Sequence, residues 1–222
     1  LAVLGRMALY NEKWDVAVDA YQEVLKLDYS LADDYAKLFT LAGQTSPEII
    51  FSVRFEGPGL GEGCEFNAHW NTPLEAMNGT LNLADDYYKT DGTKVGDTNY
   101  GEMESGKLNV SKPNAAHWEN RDPRLYATLF VPGMKWNGKG GSEAWYGGAA
   151  ASFSTVYVMK YFDPSDTGNS WDNGQDFYVV RYAEVLLSLA EAMVQRGGYD
   201  EQTVTALVDR VRNRAHMPKV ED

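Results

Sequence analysis

Apolar residues recur at Trp14, Ala17, Val18, Tyr21, Val24 and Leu25, the i, i+3, i+4, i+7 spacing that lays one stripe along an α-helix. Leu1 to Tyr10 precede that stripe, and the polar turn Asn11-Glu12-Lys13 separates the two. The pattern predicts an antiparallel helix pair, Leu1–Tyr10 and Trp14–Leu27. Small residues at Gly5, Ala8 and Ala17 stand among large ones at Leu4, Trp14 and Tyr21, which is how tetratricopeptide helices cross closely. A second pair is predicted between Val180 and Ala215. Its first stripe is Tyr182, Val185, Leu186, Leu189, Ala190, Met193 and Val194. Gly197-Gly198 breaks that helix, Tyr199-Asp200 opens the next, and Val204, Leu207, Val208 and Val211 form the facing stripe. Two separated pairs are fewer than the roughly three repeats that bury one another's faces. The chain therefore reads as a fragment of something longer.

Between the pairs, from Gly43 to Asp176, the helical period disappears. Short β-branched and aromatic runs at Ile49–Phe55, Leu125–Val131 and Thr155–Tyr161 predict strands. The rest reads as loop, with glycine clusters such as Gly57-Pro58-Gly59 and Gly138-Lys139-Gly140-Gly141. Only Gly5, Gly197 and Gly198 of the 21 glycines lie outside this section, and only Trp14 of the six tryptophans. So much irregular chain in a compact domain usually carries function.

The aromatics in that section fall into two groups. Trp70, Trp136, Trp145 and Tyr146 sit among glycines and polar residues, with no helical or strand period to bury them. An indole presents a flat apolar face suited to stacking on a sugar ring. These four, with Trp171 and the polar neighbours His69, Asn71, Asn137 and Glu143, are the candidate ligand-binding residues. Trp118 is different, because it stands beside Arg121-Asp122-Pro123-Arg124. It is expected to pack, and the charged residues there to form an internal ion pair.

Charge narrows the function classes. Twenty Lys+Arg against 32 Asp+Glu give a formal net charge of −12, a field that repels phosphate backbones and anionic bilayers. No nucleic acid is expected as a partner, and no apolar run reaches the ~20 residues of a membrane span. The single cysteine, Cys64, cannot form an internal disulfide and is expected to be a buried thiol. Asp163, Asp166, Asp172 and Asp176 do not have the spacing of an EF-hand and read as a solvated acidic loop. The three histidines lie far apart, so neither a metal nor a cofactor is expected. With 32 acids, pairs of carboxylates at glycosidase spacing carry no information, and no catalytic residue is assigned.

Several motifs occur in a fixed order: Tyr29-Ser30-Leu31 with Tyr35-Ala36-Lys37-Leu38-Phe39; Glu48-Ile49-Ile50-Phe51-Ser52-Val53; Asn120-Arg121-Asp122-Pro123-Arg124-Leu125-Tyr126-Ala127-Thr128; Lys160-Tyr161; and Arg181-Tyr182-Ala183-Glu184-Val185-Leu186-Leu187 leading to Val211-Arg212-Asn213-Arg214-Ala215. Together they make the chain resemble the SusD/RagB family of outer-membrane nutrient-binding lipoproteins. The resemblance implies a mainly α, SusD-like fold of tetratricopeptide-like helix pairs with a long loop-rich insertion carrying a few short strands. In this single domain, residues 1–42 form the first helix pair and a following helix, 43–178 the ligand-binding insertion, and 179–217 the second pair. It also implies a non-enzymatic protein at the outer-membrane cell surface that captures a glycan or oligosaccharide and delivers it to a SusC-like TonB-dependent transporter. Membrane contact would come only through a lipid anchor absent from this chain. The alternative is a helical-repeat scaffold that binds proteins and no glycan.

Overall fold

The structure is a computed structural model, and it describes residues 1–65, 79–96, 99–104, 107–132, 134, 156–166 and 171–220. The first helix pair forms where the apolar period places it, as α1 (Ala2–Tyr10) and α2 (Trp14–Leu25). Gly5 is required at their crossing: a Cβ there would lie 2.6 Å from the Tyr21 ring. Helix α2 ends at Leu25, two residues short of the expected Leu27.

The second pair, which follows four short helices among the described residues, comprises α7 (Tyr182–Arg196) and α8 (Glu201–Arg214). Gly197 ends α7 at φ +78°, a conformation that suits a residue without a Cβ. The Asp200 carboxylate caps α8 by accepting from Thr203 N at 2.8 Å. Helix α7 lies between α2 and α8, so one core joins both pairs. Ala17, Val18, Tyr21 and Val24 meet Val185, Leu186, Leu189, Leu207 and Val211 there, with Trp14 and Leu25 at the edge. Val194 departs from its predicted stripe. It is 42 % exposed, as is Leu187 seven residues earlier on the same side of α7, whereas Met193 in the same turn is buried in the core.

Helix α3 (Tyr35–Leu38) follows the first pair, and the described parts of the middle section hold the short helices α4 (Leu81–Asp85) and α5 (Ala115–Trp118); each of these three is capped by a side chain, Asp34, Thr80 or Asn114. Strand β1 (Ile49–Val53) pairs antiparallel with β6 (Phe177–Arg181), which runs directly into α7. The other antiparallel pairs are β2 (Gly101–Glu104) with β3 (Lys107–Pro113), and β4 (Leu129–Phe130) with β5 (Tyr157–Val158). No ladder among the described residues exceeds two strands.

The run Leu125–Val131, expected as a strand, is mostly helix α6 (Pro123–Thr128), and only Leu129–Phe130 is extended. Asp122 accepts from Arg124 N, and Pro123 occupies the first turn, where its missing N–H costs nothing. That start signal overrides the β propensity of the residues behind it. The third predicted strand shortens to Tyr157–Val158, and Thr155 lies outside the described residues. A second small core forms here from Ala84, Trp118, Leu125, Leu129, Val131 and Val156.

Candidate functional site

Two loops, residues 54–65 and 171–176, are bound together along their backbones. Cys64 N donates to Asn173 O at 2.7 Å and Asn173 N returns a bond to Cys64 O at 3.0 Å. The Asp172 carboxylate accepts from Gly59 N at 2.5 Å and Gly63 N at 2.9 Å. Only glycine permits so close an approach: a Cβ on Gly57 would fall 2.2 Å from Asp172 O, and one on Gly63 2.5 Å from the Asp172 carbonyl carbon. The thiol of Cys64 is buried, as expected, and donates to Gln175 O at 3.3 Å. At the base, Asp176 accepts from Phe55 N at 3.2 Å. The braced pair displays two large apolar side chains, Trp171 at 55 % exposure and Leu60 at 65 %. An exposed indole on a loop held at this many points can receive a flat ligand with little ordering cost.

Of the sequence-predicted binding residues, the structure describes Trp171 alone. Trp70, Trp136, Trp145, Tyr146, His69 and Asn71, with Asn137 and Glu143, lie outside the described residues. Asp172 and Leu60 were not among the candidates. The available signal was the glycine spacing at 57, 59, 61 and 63: Gly57 and Gly63 are closely approached by Asp172, and Gly59 and Gly61 turn the chain at positive φ.

The acidic loop is not a solvated face. Asp163 and Asp176 are buried, and Asp163 accepts from Leu41 N at 3.0 Å and Ser165 N at 2.8 Å. Short carboxylates satisfy the backbone N–H groups of turns, which is why these acids turn inward. Among the described residues no group of His, Cys, Asp and Glu has a metal-holding arrangement.

Trp118 is packed as expected, its ring in the second core and its Nε1 donating to Tyr100 O at 2.8 Å. The neighbouring ion pair joins Arg124 to Asp122 at 2.6 Å. Arg121 does not share in it: its buried guanidinium donates to the carbonyls of Tyr87, His117 and Ala84. Burial pulls that guanidinium below its ordinary value.

A cleft of about 520 Å³ opens between the second helix pair and the insertion, lined in part by Tyr35, Tyr87, Arg124, Arg181, Glu184 and Arg214. Its cations are engaged within the fold, Arg124 with Asp122 and both Arg181 and Arg214 with Glu48. Burial pushes the nearby Lys160 ammonium down, and its Nζ lies 4.3 Å from the Phe39 ring centroid. For Tyr35, burial works upward, but Lys160, Thr128 and Arg181 outweigh it and lower the phenol. These groups hold the insertion against the scaffold.

The model of the SusD family matches residues 47–222. The chain belongs to the SusD family. In fold, this SusD-family chain is similar to a SusD-like carbohydrate binding protein from Bacteroides fragilis, with a TM-score of 0.75 and 24 % identity over 100 % of this chain and 45 % of the other. A second SusD-like protein from the same organism gives 0.73 and 22 %, over 100 % and 47 %. Surface glycan-binding protein A from Bacteroides thetaiotaomicron, solved in complex with laminarihexaose, gives 0.56 and 18 %, over 98 % and 47 %. The chain thus spans less than half the length of these structures. No curated protein matches it in sequence.

Proposed function

We propose that this SusD-family chain is part of a non-catalytic protein that binds an oligosaccharide or polysaccharide at the cell surface. The protein passes its ligand to a SusC-like TonB-dependent transporter in the outer membrane, to which a lipid anchor keeps it close. The observation that carries this is the Trp171 indole, more than half exposed on a loop braced through Asp172. The family match and the laminarihexaose complex of the Bacteroides thetaiotaomicron protein support a sugar as the ligand. The face of a pyranose ring is apolar enough to stack on an indole, while its hydroxyls need polar groups at the rim. Trp70, Trp136, Trp145 and Tyr146 extend the same surface in this proposal.

Affinity electrophoresis of the intact protein through gels containing a panel of polysaccharides tests the function. Retardation by at least one of them, with no release of reducing ends on incubation, is the expected result. Passage through every gel unretarded overturns glycan binding, and released reducing ends would make the protein a hydrolase.

One observation favours the protein-binding alternative. Val3, Leu4, Met7 and Tyr10 on α1 are each more than half exposed, an apolar row of the kind that helical repeats present to neighbours. Recovery of a protein partner by the intact protein, with no retardation in any glycan gel, would select it.

A further inference from the structure

We infer that the Trp171 subsite accepts an uncharged sugar ring and turns away acidic sugars such as uronates and sulfated residues. This rests on the glycan-binding function proposed above and assigns its ligand class. Residues 54–65 and 166–176 carry six carboxylates, on Glu56, Glu62, Glu65, Asp166, Asp172 and Asp176. Their sole Lys or Arg is Arg54.

The structure brings these charges onto one unit. Glu56 and Glu62 face each other across a backbone bridge, with Glu56 N donating to Glu62 O at 3.1 Å. Glu65 follows Cys64, which is bridged to Asn173, and Asp166 accepts from the Asn173 side chain. Glu56, Glu62 and Glu65 are exposed. Asp172 adjoins Trp171 in the chain, and its carboxylate reaches across to Gly59 and Gly63, on either side of Leu60.

Trp171 thus shares a braced unit whose described exposed charges are the carboxylates of Glu56, Glu62 and Glu65 and the cation of Arg54. A carboxylate or sulfate on the bound sugar calls for the paired donors of an arginine. Arg54 is the cation available on this unit, and its Nε lies 3.8 Å from Asp176 Oδ2. Among the described residues of this unit, an anionic ring stacked on Trp171 would meet several carboxylates and, apart from Arg54 beside Asp176, no guanidinium. A neutral ring has no such penalty, and carboxylates accept well from sugar hydroxyls.

The two ligand classes also differ in their response to salt. Stacking and hydrogen bonding of a neutral ring are nearly indifferent to ionic strength. Repulsion between exposed charges is screened as the Debye length falls from about 10 Å at 0.1 M to about 3 Å at 1 M.

The test is calorimetry on the intact protein and its Trp171→Ala and Glu62→Lys/Glu65→Lys variants, with neutral glucans, mannans and xylans set against polygalacturonate and alginate. The expected result has three parts: a neutral glycan binds independently of salt, Trp171→Ala weakens it by about tenfold or more, and acidic glycans bind at least tenfold more weakly at low salt. Raising the salt, or making the double lysine variant, should then narrow that gap. If an acidic glycan binds as tightly as a neutral one and loses affinity on Trp171→Ala, the inference is overturned while glycan binding stands. The same holds if glycan binds and Trp171→Ala changes nothing. If no glycan of either class binds, the proposed function itself fails and takes the inference with it.

Discussion

The Glu48 carboxylate accepts a hydrogen bond from Arg214 Nη1 at 2.9 Å, with the Glu48 side chain fully buried and that of Arg214 only 5 % exposed. The same carboxylate accepts from Ala32 N at 2.8 Å and from Arg181 Nη1. One side chain thus ties the entry to β1, the end of β6 and the last turn of α8 to a common point. Through it, the strands leading to the Trp171 loop are anchored to the helical scaffold.

Removing that anchor should be costly. Glu48→Ala leaves two guanidinium groups without their buried counter-ion and should lower stability by about 3–5 kcal/mol. Glu23→Ala, which breaks the exposed Lys26–Glu23 pair, should change it by less than about 1 kcal/mol. Urea denaturation of both variants checks the contrast, and equal midpoints would refute the buried anchor.

Burial on α7 separates two residues of one predicted stripe. Leu189 is buried against α2 and α8, whereas Val194 is substantially exposed. Leu189→Ala should cost about 2–5 kcal/mol, and Val194→Ala should stay within about 0.5 kcal/mol of the parent. Thermal melts of the two variants decide the assignment.

The two described tryptophans of the middle section should respond in opposite ways. Trp118→Ala removes a buried ring and its bond to Tyr100 O and should lower stability by about 3–5 kcal/mol. Trp171→Ala should leave the melting temperature nearly unchanged and weaken glycan binding, by about 2 kcal/mol if the ring is a central anchor. Melting curves and binding isotherms measured together test both halves.

Alkaline pH should probe the aromatic cluster beneath β6. Burial pushes the Tyr178 phenol up to about 12, and its hydroxyl donates to Leu38 O at 2.9 Å. Between the unfolded value of 10.0 and the folded value of about 12, the folded chain holds a proton that the unfolded chain has lost. The stability contributed by this group is therefore fully present below the lower value and falls away as pH rises through the upper one. Tyr178→Phe has no such proton to hold. Its stability should start lower and decline less steeply across that window, as read from urea midpoints at several alkaline pH values.

The helix pairs were legible because a helix closes its hydrogen bonds within four residues and buries one face at a period of 3.6. The stripe from Trp14 to Val24 and the break at Gly197-Gly198 thus located α1, α2, α7 and α8 from local spacing alone. The ordered motifs from Tyr29 to Ala215 carried the family as well. Other features depend on residues far apart in the chain. Glu48 does not reveal locally that Arg181 and Arg214 will meet it, nor does Ile49 that it will pair with Arg181. Leu125–Val131 has the composition of a strand, but the cap formed by Asp122 and the ring of Pro123 commit most of it to helix. Asp163 and Asp176 have the composition of a solvated loop, yet tertiary packing presents backbone N–H groups to both. The same reason hid the bracing of Trp171: Asp172 finds its donors on Gly59 and Gly63, over a hundred positions earlier, and only the folded chain brings those N–H groups within reach of its carboxylate.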